Sequence, residues 1–277
     1  VTSFPVALGL KILYVAAIVT VFLFVFFHPV FGYFKHKKAL GLLFFMILNV
    51  IFITAHFKSG FIEVRPKPNS LVYLLDTDAQ TVTWNSYDKL VDSWTQKYFG
   101  EDPVIVPSAK VAFSSKYGSG FTFKSEAPVV DIPEPGIFFE KLNTSDSLKN
   151  INRYSLKIAP NRKINRMELF VYRTFNFEEF KVNGLEADSI YLGANPFHVF
   201  TKRWEDRLLI YHAANRDTLR LEVAIKGKIT PAFILYEASY DLLENEKLKV
   251  PQRVKTMIPR PYVLNDGVIL KKTIRFD

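Results

Sequence analysis

The chain opens on two long apolar stretches. From Val6 to Phe27 the single charge is Lys11, and from Ala39 to Phe57 there is none. A helix needs about 20 consecutive apolar residues to cross roughly 30 Å of hydrocarbon. In lipid the backbone must satisfy itself within its own segment, so residues 1–57 predict a transmembrane helical hairpin. Between the spans, Pro29 and Gly32 are expected to stop the first helix, and Tyr33 and Phe34 suit the headgroup layer. Lys35, Lys37 and Lys38 form the membrane anchor turn. These lysines predict a cytoplasmic hairpin tip and an extracytoplasmic remainder, while Lys58, Arg65 and Lys67 pull the other way. Lys11, close to a helix end, is read as snorkelling to the interface.

After the spans the hydrophobic period changes to two. Residues 58–69, with Arg65-Pro66-Lys67-Pro68-Asn69, read as a stiff linker. The domain expected over 70–277 begins with a hairpin, Ser70 to Asp76 and Ala79 to Trp84, across the Asp76-Thr77-Asp78 turn. Tyr87, Leu90, Val91, Trp94 and Tyr98 fall at helical spacing before Gly100, which predicts a packed helix over 86–99 capped by Asn85 or Ser86. Short strands are expected at Ala109–Ser114 and Gly120–Lys124, around a Tyr117-Gly118-Ser119-Gly120 turn, and Ala127 to Gly136 reads as a connection. Further strands are expected at Tyr154–Ile158, Asn165–Arg173, Phe177–Val182 (ending on the tight-turn pair Asn183-Gly184), Arg207–His212 and Thr218–Lys226. In the last, Leu219, Leu221, Val223 and Ile225 alternate with Arg220, Glu222 and Lys226. One-faced strands need a second layer, so the fold class is a two-helix transmembrane hairpin followed by a mainly-β domain, an antiparallel β-sandwich with one packed helix.

Charge and chemistry narrow the function classes. Of the net charge of +9, four lysines and no acids fall in residues 1–57, which leaves a mixed, mildly basic surface on the rest. No run of it forms a nucleic-acid patch. The chain has no cysteine, so disulfides and thiolate metal sites are excluded. A hydrolytic zinc site needs several His and carboxylate ligands plus a base for the bound water. Downstream of the spans only His198 and His212 are available, with Glu205 and Asp206 between them, and they are kept as weak metal candidates. Glu178 and Glu179 sit in an expected strand and so point to opposite faces. No nucleophile elbow, phosphate loop or dinucleotide fingerprint occurs. Trp84, Trp94 and Trp204 are a possible aromatic surface for a ligand, although core packing is the commoner use of tryptophan. No catalytic residue and no cofactor is assigned to this chain.

The run Lys67-Pro68-Asn69-Ser70-Leu71-Val72-Tyr73-Leu74-Leu75-Asp76-Thr77-Asp78, followed by Thr83-Trp84-Asn85-Ser86-Tyr87-Asp88 and Trp94, resembles membrane-bound family-28 zinc metallopeptidases of the endoplasmic reticulum metallopeptidase and vacuolar membrane protease type. Ile258-Pro259-Arg260-Pro261, Asp266 to Lys272 and the ending Thr273-Ile274-Arg275-Phe276 are similar to how such proteins finish. The resemblance covers about residues 60–277. It implies an amino-terminal dizinc peptidase domain, several spans and a final extracytoplasmic β-domain, of which this chain matches the last parts. None of the family's zinc ligands has a counterpart here, so zinc belongs to the parent catalytic domain and no catalytic residue is carried over. The chain does not begin with Met and reads as a segment of a longer polypeptide, or a processed one.

The resulting expectation is a non-catalytic membrane anchor and accessory C-terminal β-domain that positions a catalytic peptidase domain or its substrate. Its partners would be the lipid bilayer and that catalytic domain, with no nucleic acid. The alternative is a free-standing membrane-anchored binding module for a glycan or protein. The expected location is a bacterial inner membrane with the domain facing the periplasm, the alternative a secretory-organelle membrane with the domain in the lumen.

Overall fold

The computed structural model describes residues 13–106, 120–146, 150–172, 177–186, 189–192, 195–198, 206–227 and 232–275. The expected strand at Ala109–Ser114, Lys11, Trp204 and most of the Tyr117–Gly120 turn lie outside these residues. The chain divides into two units at Gly60/Phe61.

The first unit is helical. Helix α1 spans Leu13–Gly32 and α2 spans Lys37–Lys58, joined by Tyr33–His36. Helix α1 does not stop at Pro29 but runs through it to Gly32. Proline removes one N–H so close to the helix end that the remaining turn still closes. Helix α2 is about 33 Å long at 1.5 Å per residue, and by length and composition it is apolar enough to cross a membrane, with none of its span buried. Tyr14–Val30 is a shorter apolar helix.

The second unit is mainly β. In chain order the strands are β1 Lys67–Asn69, β2 Val72–Asp76, β3 Thr81–Ser86, β4 Phe123–Glu126, β5 Gly136–Asp146, β6 Ile151–Ala159, β7 Ile164–Phe170, β8 Glu179–Val182, β9 Leu185–Glu186, β10 Ser189–Leu192, β11 Asn195–His198, β12 Arg207–Asn215, β13 Leu219–Lys226, β14 Phe233–Ser239, β15 Met257–Pro259 and β16 Gly267–Ile274. One sheet has the order β12-β7-β14-β16-β2-β3-β4 and another β5-β6-β13-β8-β9. Asn183 and Gly184, both at positive φ, form the two-residue turn between β8 and β9, as their residue types demand. Two neighbours break the expected antiparallel rule: β16 pairs β2 in parallel, as β15 pairs β1. Residues 67–69 are therefore strand, and the tail of the expected linker belongs to this unit.

Strand β13 presents Leu219, Leu221, Val223 and Ile225 to a core that also takes Leu156 and Ile158 from β6. Met167 and Leu169 of β7 and Phe233 and Leu235 of β14, on the longer sheet, complete it. Each such side chain contributes about 1.5–3 kcal/mol by leaving water. Further along the longer sheet, Tyr73, Trp84, Val268 and Leu270 pack under Trp94, Phe99, Leu242, Leu248 and Val250, which come from α3 and irregular segments. Val72, Ala238 and Ile269 cover the other face with Tyr87 and Phe121. The centre of the longer sheet is thus buried on both sides.

The expected helix over 86–99 is not formed. Strand β3 runs through Ser86, residues 87–95 are turns and irregular chain, and a single-turn α3 spans Gln96–Phe99. The two expected caps are engaged elsewhere: Asn85 Nδ2 donates to Thr83 Oγ1 at 2.9 Å, and Ser86 Oγ shares a hydrogen bond with Ser70 Oγ at 2.9 Å. Asp92 instead accepts from the N–H groups of Trp94 and Thr95, at 3.0 and 2.9 Å. Tyr87 and Trp94 enter clusters on opposite faces of the sheet, and Leu90 is 76 % exposed, so the supposed apolar face does not exist.

Candidate functional site

The two ends of the β unit meet in space. Strand β1 lies beside β15 and β2 beside β16, which brings residues 67–94 against residues 251–271. At this joint the Arg253 guanidinium donates to both Asp266 carboxylate oxygens, at 2.7 and 2.6 Å, and to Asn69 Oδ1 at 2.5 Å. It also stacks on the Trp94 ring, 4.4 Å from the centroid, while Trp94 Nε1 donates to the Pro251 carbonyl. Asn69 Nδ2 donates to Asp92, and Asn265 Nδ2 donates to the Asn69 carbonyl. Arg260 donates to Asp88 and to the Tyr87 carbonyl.

Charge at the joint is balanced by geometry. Burial works to raise the Asp92 carboxyl, but hydrogen bonds from Thr95 and Asn69 and the Lys67 charge outweigh it and hold the group below its usual range. For Asp88 burial wins over the Ser70 and Arg260 contacts and pushes the carboxyl up. Every one of these groups is occupied by another part of the fold. The arrangement locks the entry and exit of the β unit together and leaves no acid or base facing solvent there as a pair.

Two more buried carboxylates lie on neighbouring strands. Glu237 pairs with Arg162 at 2.8 Å, and the same guanidinium donates to Ser239 and to the Glu237 and Val268 carbonyls. Glu168, fully buried, pairs with Arg166 and, at 3.9 Å, with Arg207. Burial raises both carboxyls against the pull of their arginines.

The open site is on the five-stranded sheet, on the side away from its core. A cleft of about 220 Å³ is lined by Leu142, Arg153, Glu179, Lys181, Glu222 and Val223. Register sets the lining: Glu222 lies opposite Lys181 and Ser155, and Ala224 lies between Glu179 and Arg153. Arg153 donates to both Glu179 oxygens, at 3.2 and 2.5 Å. That hydrogen bond, helped by the Arg153 and Lys181 charges and opposed by burial, holds the Glu179 carboxyl below its usual range. A carboxylate held ionised is a poor proton donor, so the cleft offers alternating charge for binding a polar group rather than an acid–base pair.

The residues singled out from sequence are dispersed. Trp84 and Trp94 are each only 5 % exposed and belong to the core beside Tyr73 and Tyr98, so they form no aromatic surface. Trp204 lies outside the described residues. His212 is exposed on β12 opposite Arg166. His198 ends β11, paired with Ser189, and only its backbone is described. Among the described residues no cluster of His, Asp and Glu is arranged to hold a metal ion. Lys35, Lys37 and Lys38 are exposed at the hairpin turn. Sequence reading did not single out Arg153, Lys181 or Arg253. The available signal was the Asn183-Gly184 turn, which fixes the register beside Lys181, and the buried aromatic on which Arg253 stacks.

No family profile matches the chain, and no curated protein matches it. A solved structure described as BslA, a bacterial hydrophobin, is similar over 53 % of this chain and 97 % of its own, at 11 % identity and a TM-score of 0.27. A likeness that slight carries no argument about fold or function.

Proposed function

We propose that this chain is a membrane anchor and accessory β-domain of a membrane-bound zinc metallopeptidase, serving to position the catalytic domain or its substrate and not itself catalytic. The observation that carries this reading is the joint. Of the residues behind the resemblance, Asn69, Trp94 and Asp266 meet through Arg253, Asp88 meets Arg260, and Asp76 meets Lys271. On this reading these residues serve architecture, and zinc chemistry would reside in the parent's catalytic domain. The two large sheets sharing one apolar core support a β-sandwich. Helices α1 and α2 support a transmembrane hairpin, because most of their large apolar side chains are exposed and α2 is long and apolar enough to cross a membrane. With Lys35, Lys37 and Lys38 at a cytoplasmic tip, the β unit would be extracytoplasmic, on the periplasmic side of a bacterial inner membrane or in an organelle lumen.

A second reading, a membrane-anchored binding module for a glycan or protein, is favoured by the charged cleft around Arg153 and Glu179. Two measurements separate the possibilities. The coding sequence upstream of Val1 should carry, in frame, a dinuclear zinc motif; a start codon immediately before Val1 would sink the accessory reading and leave the binding module. The purified chain should release no amino acids from peptides. Peptidase activity abolished by both His198→Ala and His212→Ala would make the chain an enzyme.

A further inference from the structure

The helical unit carries a groove that its anchoring role does not require. Its volume is about 540 Å³, and it is lined by Phe24 and His28 of α1 and by Lys37, Leu40, Gly41 and Phe44 of α2. On α2 the four positions fall at i, i+3, i+4 and i+7, one face of a helix, and on α1 the two are one turn apart. The lining is therefore ordered along the helices. His28 and Lys37 lie at the end next to the hairpin turn, and Phe24, Leu40, Gly41 and Phe44 follow as the groove runs away from it. The space beside Gly41 is open: a Cβ built there meets nothing within 4 Å.

We infer that this groove holds one anionic phospholipid, its acyl chain along Phe24, Leu40, Gly41 and Phe44 and its phosphate at Lys37 and His28. This inference rests on the membrane-spanning reading of the hairpin. Charge complementarity selects the occupant. Residues 1–57 contain no acid, and Lys35 and Lys38 flank Lys37, so no carboxylate in this stretch of sequence competes for the lysine at the groove mouth. A zwitterionic choline or ethanolamine lipid would bring a cation into the same cluster with no net negative charge, whereas phosphatidylglycerol brings a net negative charge and no cation. The cytoplasmic leaflet, where the turn is expected, is the one rich in anionic lipid. The mouth also sits at the start of α2, where the helix dipole adds to the lysine charge.

The test uses the full chain in a mild detergent, with native mass spectrometry of bound phosphatidylglycerol and of phosphatidylcholine with the same acyl chains. Phosphatidylglycerol should be retained preferentially. Lys37→Ala should lose about five-fold of that preference, the equivalent of about 1 kcal/mol for one lysine near an anionic headgroup. Gly41→Phe, which fills open space without a backbone clash, should lower retention of both lipids while helix content stays unchanged. Equal retention of the two lipids, or no effect of either substitution, overturns the inference. So does binding of soluble glycerol phosphate as tight as that of the lipid. Insertion into neutral vesicles reports separately on the anchor: a chain that inserts but shows no lipid preference loses only this inference, and one that stays in solution loses the anchor as well.

Discussion

In α2, Leu42, Leu43, Phe44, Phe45 and Met46 are five consecutive apolar side chains, each more than half exposed; in β13, Leu219, Leu221, Val223 and Ile225 alternate with charge and are all buried. The polar groups of the two units differ in the same way. In the helices Thr20, Asn49 and Thr54 donate to carbonyls four residues back in their own helix, at 2.7 to 2.8 Å. In the β unit Arg253 reaches Asn69 across 184 residues of sequence and Arg162 reaches Glu237 across 75. An element with no polar face needs apolar surroundings on all sides and can satisfy itself locally. A one-faced strand needs a particular partner, and the groups that fix that partner are far away in the chain. The helical unit should therefore tolerate the loss of single polar contacts that the β unit does not.

The largest effect should come from the joint. Asp266→Ala leaves Arg253, whose side chain is only 6 % exposed, without its bidentate partner. Breaking one side of a buried pair costs about 3–5 kcal/mol. All three tryptophans lie outside residues 1–57, so a denaturant titration of the full chain in detergent, followed by tryptophan emission, reads the β unit alone. Its midpoint should fall while helical signal from α1 and α2 persists at the same denaturant concentration. Loss of both together would show that the two units unfold as one.

Next in size is the face of β13. Leu221→Ala should destabilise the β unit by about 2–5 kcal/mol, because the cavity it leaves sits between two sheets. Arg220→Ala, on the opposite face, should stay within about 0.5 kcal/mol. Similar shifts for the two variants would mean that the strand has no inner side.

The smallest effect is a pH slope. Burial lifts the Glu168 carboxyl above its ordinary value of about 4.3, so the native state holds that proton more tightly than the unfolded chain. The stability this confers is complete below the ordinary value and declines as pH rises toward the higher native one. Glu168→Gln should remove that decline, so that the wild-type chain loses stability relative to the variant between pH 4 and pH 7. Parallel curves would indicate that Arg166 and Arg207 offset burial completely.

Strands with one buried face were legible because alternation records burial directly: β13 and the Met167–Leu169 stretch of β7 lie where the pattern puts them. Strands β14 and β16 were not read, although they occupy the middle of the longer sheet. Val268, Ile269 and Leu270 are buried on both faces, and a strand covered on both sides shows no period of two. The parallel partner of β16 is β2, almost 200 residues earlier, which no local pattern marks. The helix expected over 86–99 failed for a related reason. Tyr87 and Trp94 are claimed by opposite faces of the sheet, and the expected caps Asn85 and Ser86 are held by Thr83 and Ser70.

By itself the sequence determined the two apolar helices, the alternating strands and the Asn183-Gly184 turn, all set by a residue's nearest neighbours along the chain. The tertiary structure alone decided that residues 67–94 and 251–271 lock together, that Trp84 and Trp94 are core rather than surface, and that Arg153, Glu179, Lys181 and Glu222 share a cleft. Those outcomes depend on which distant groups compete for the same donor, acceptor or apolar face, and that competition exists only once the sheets have formed.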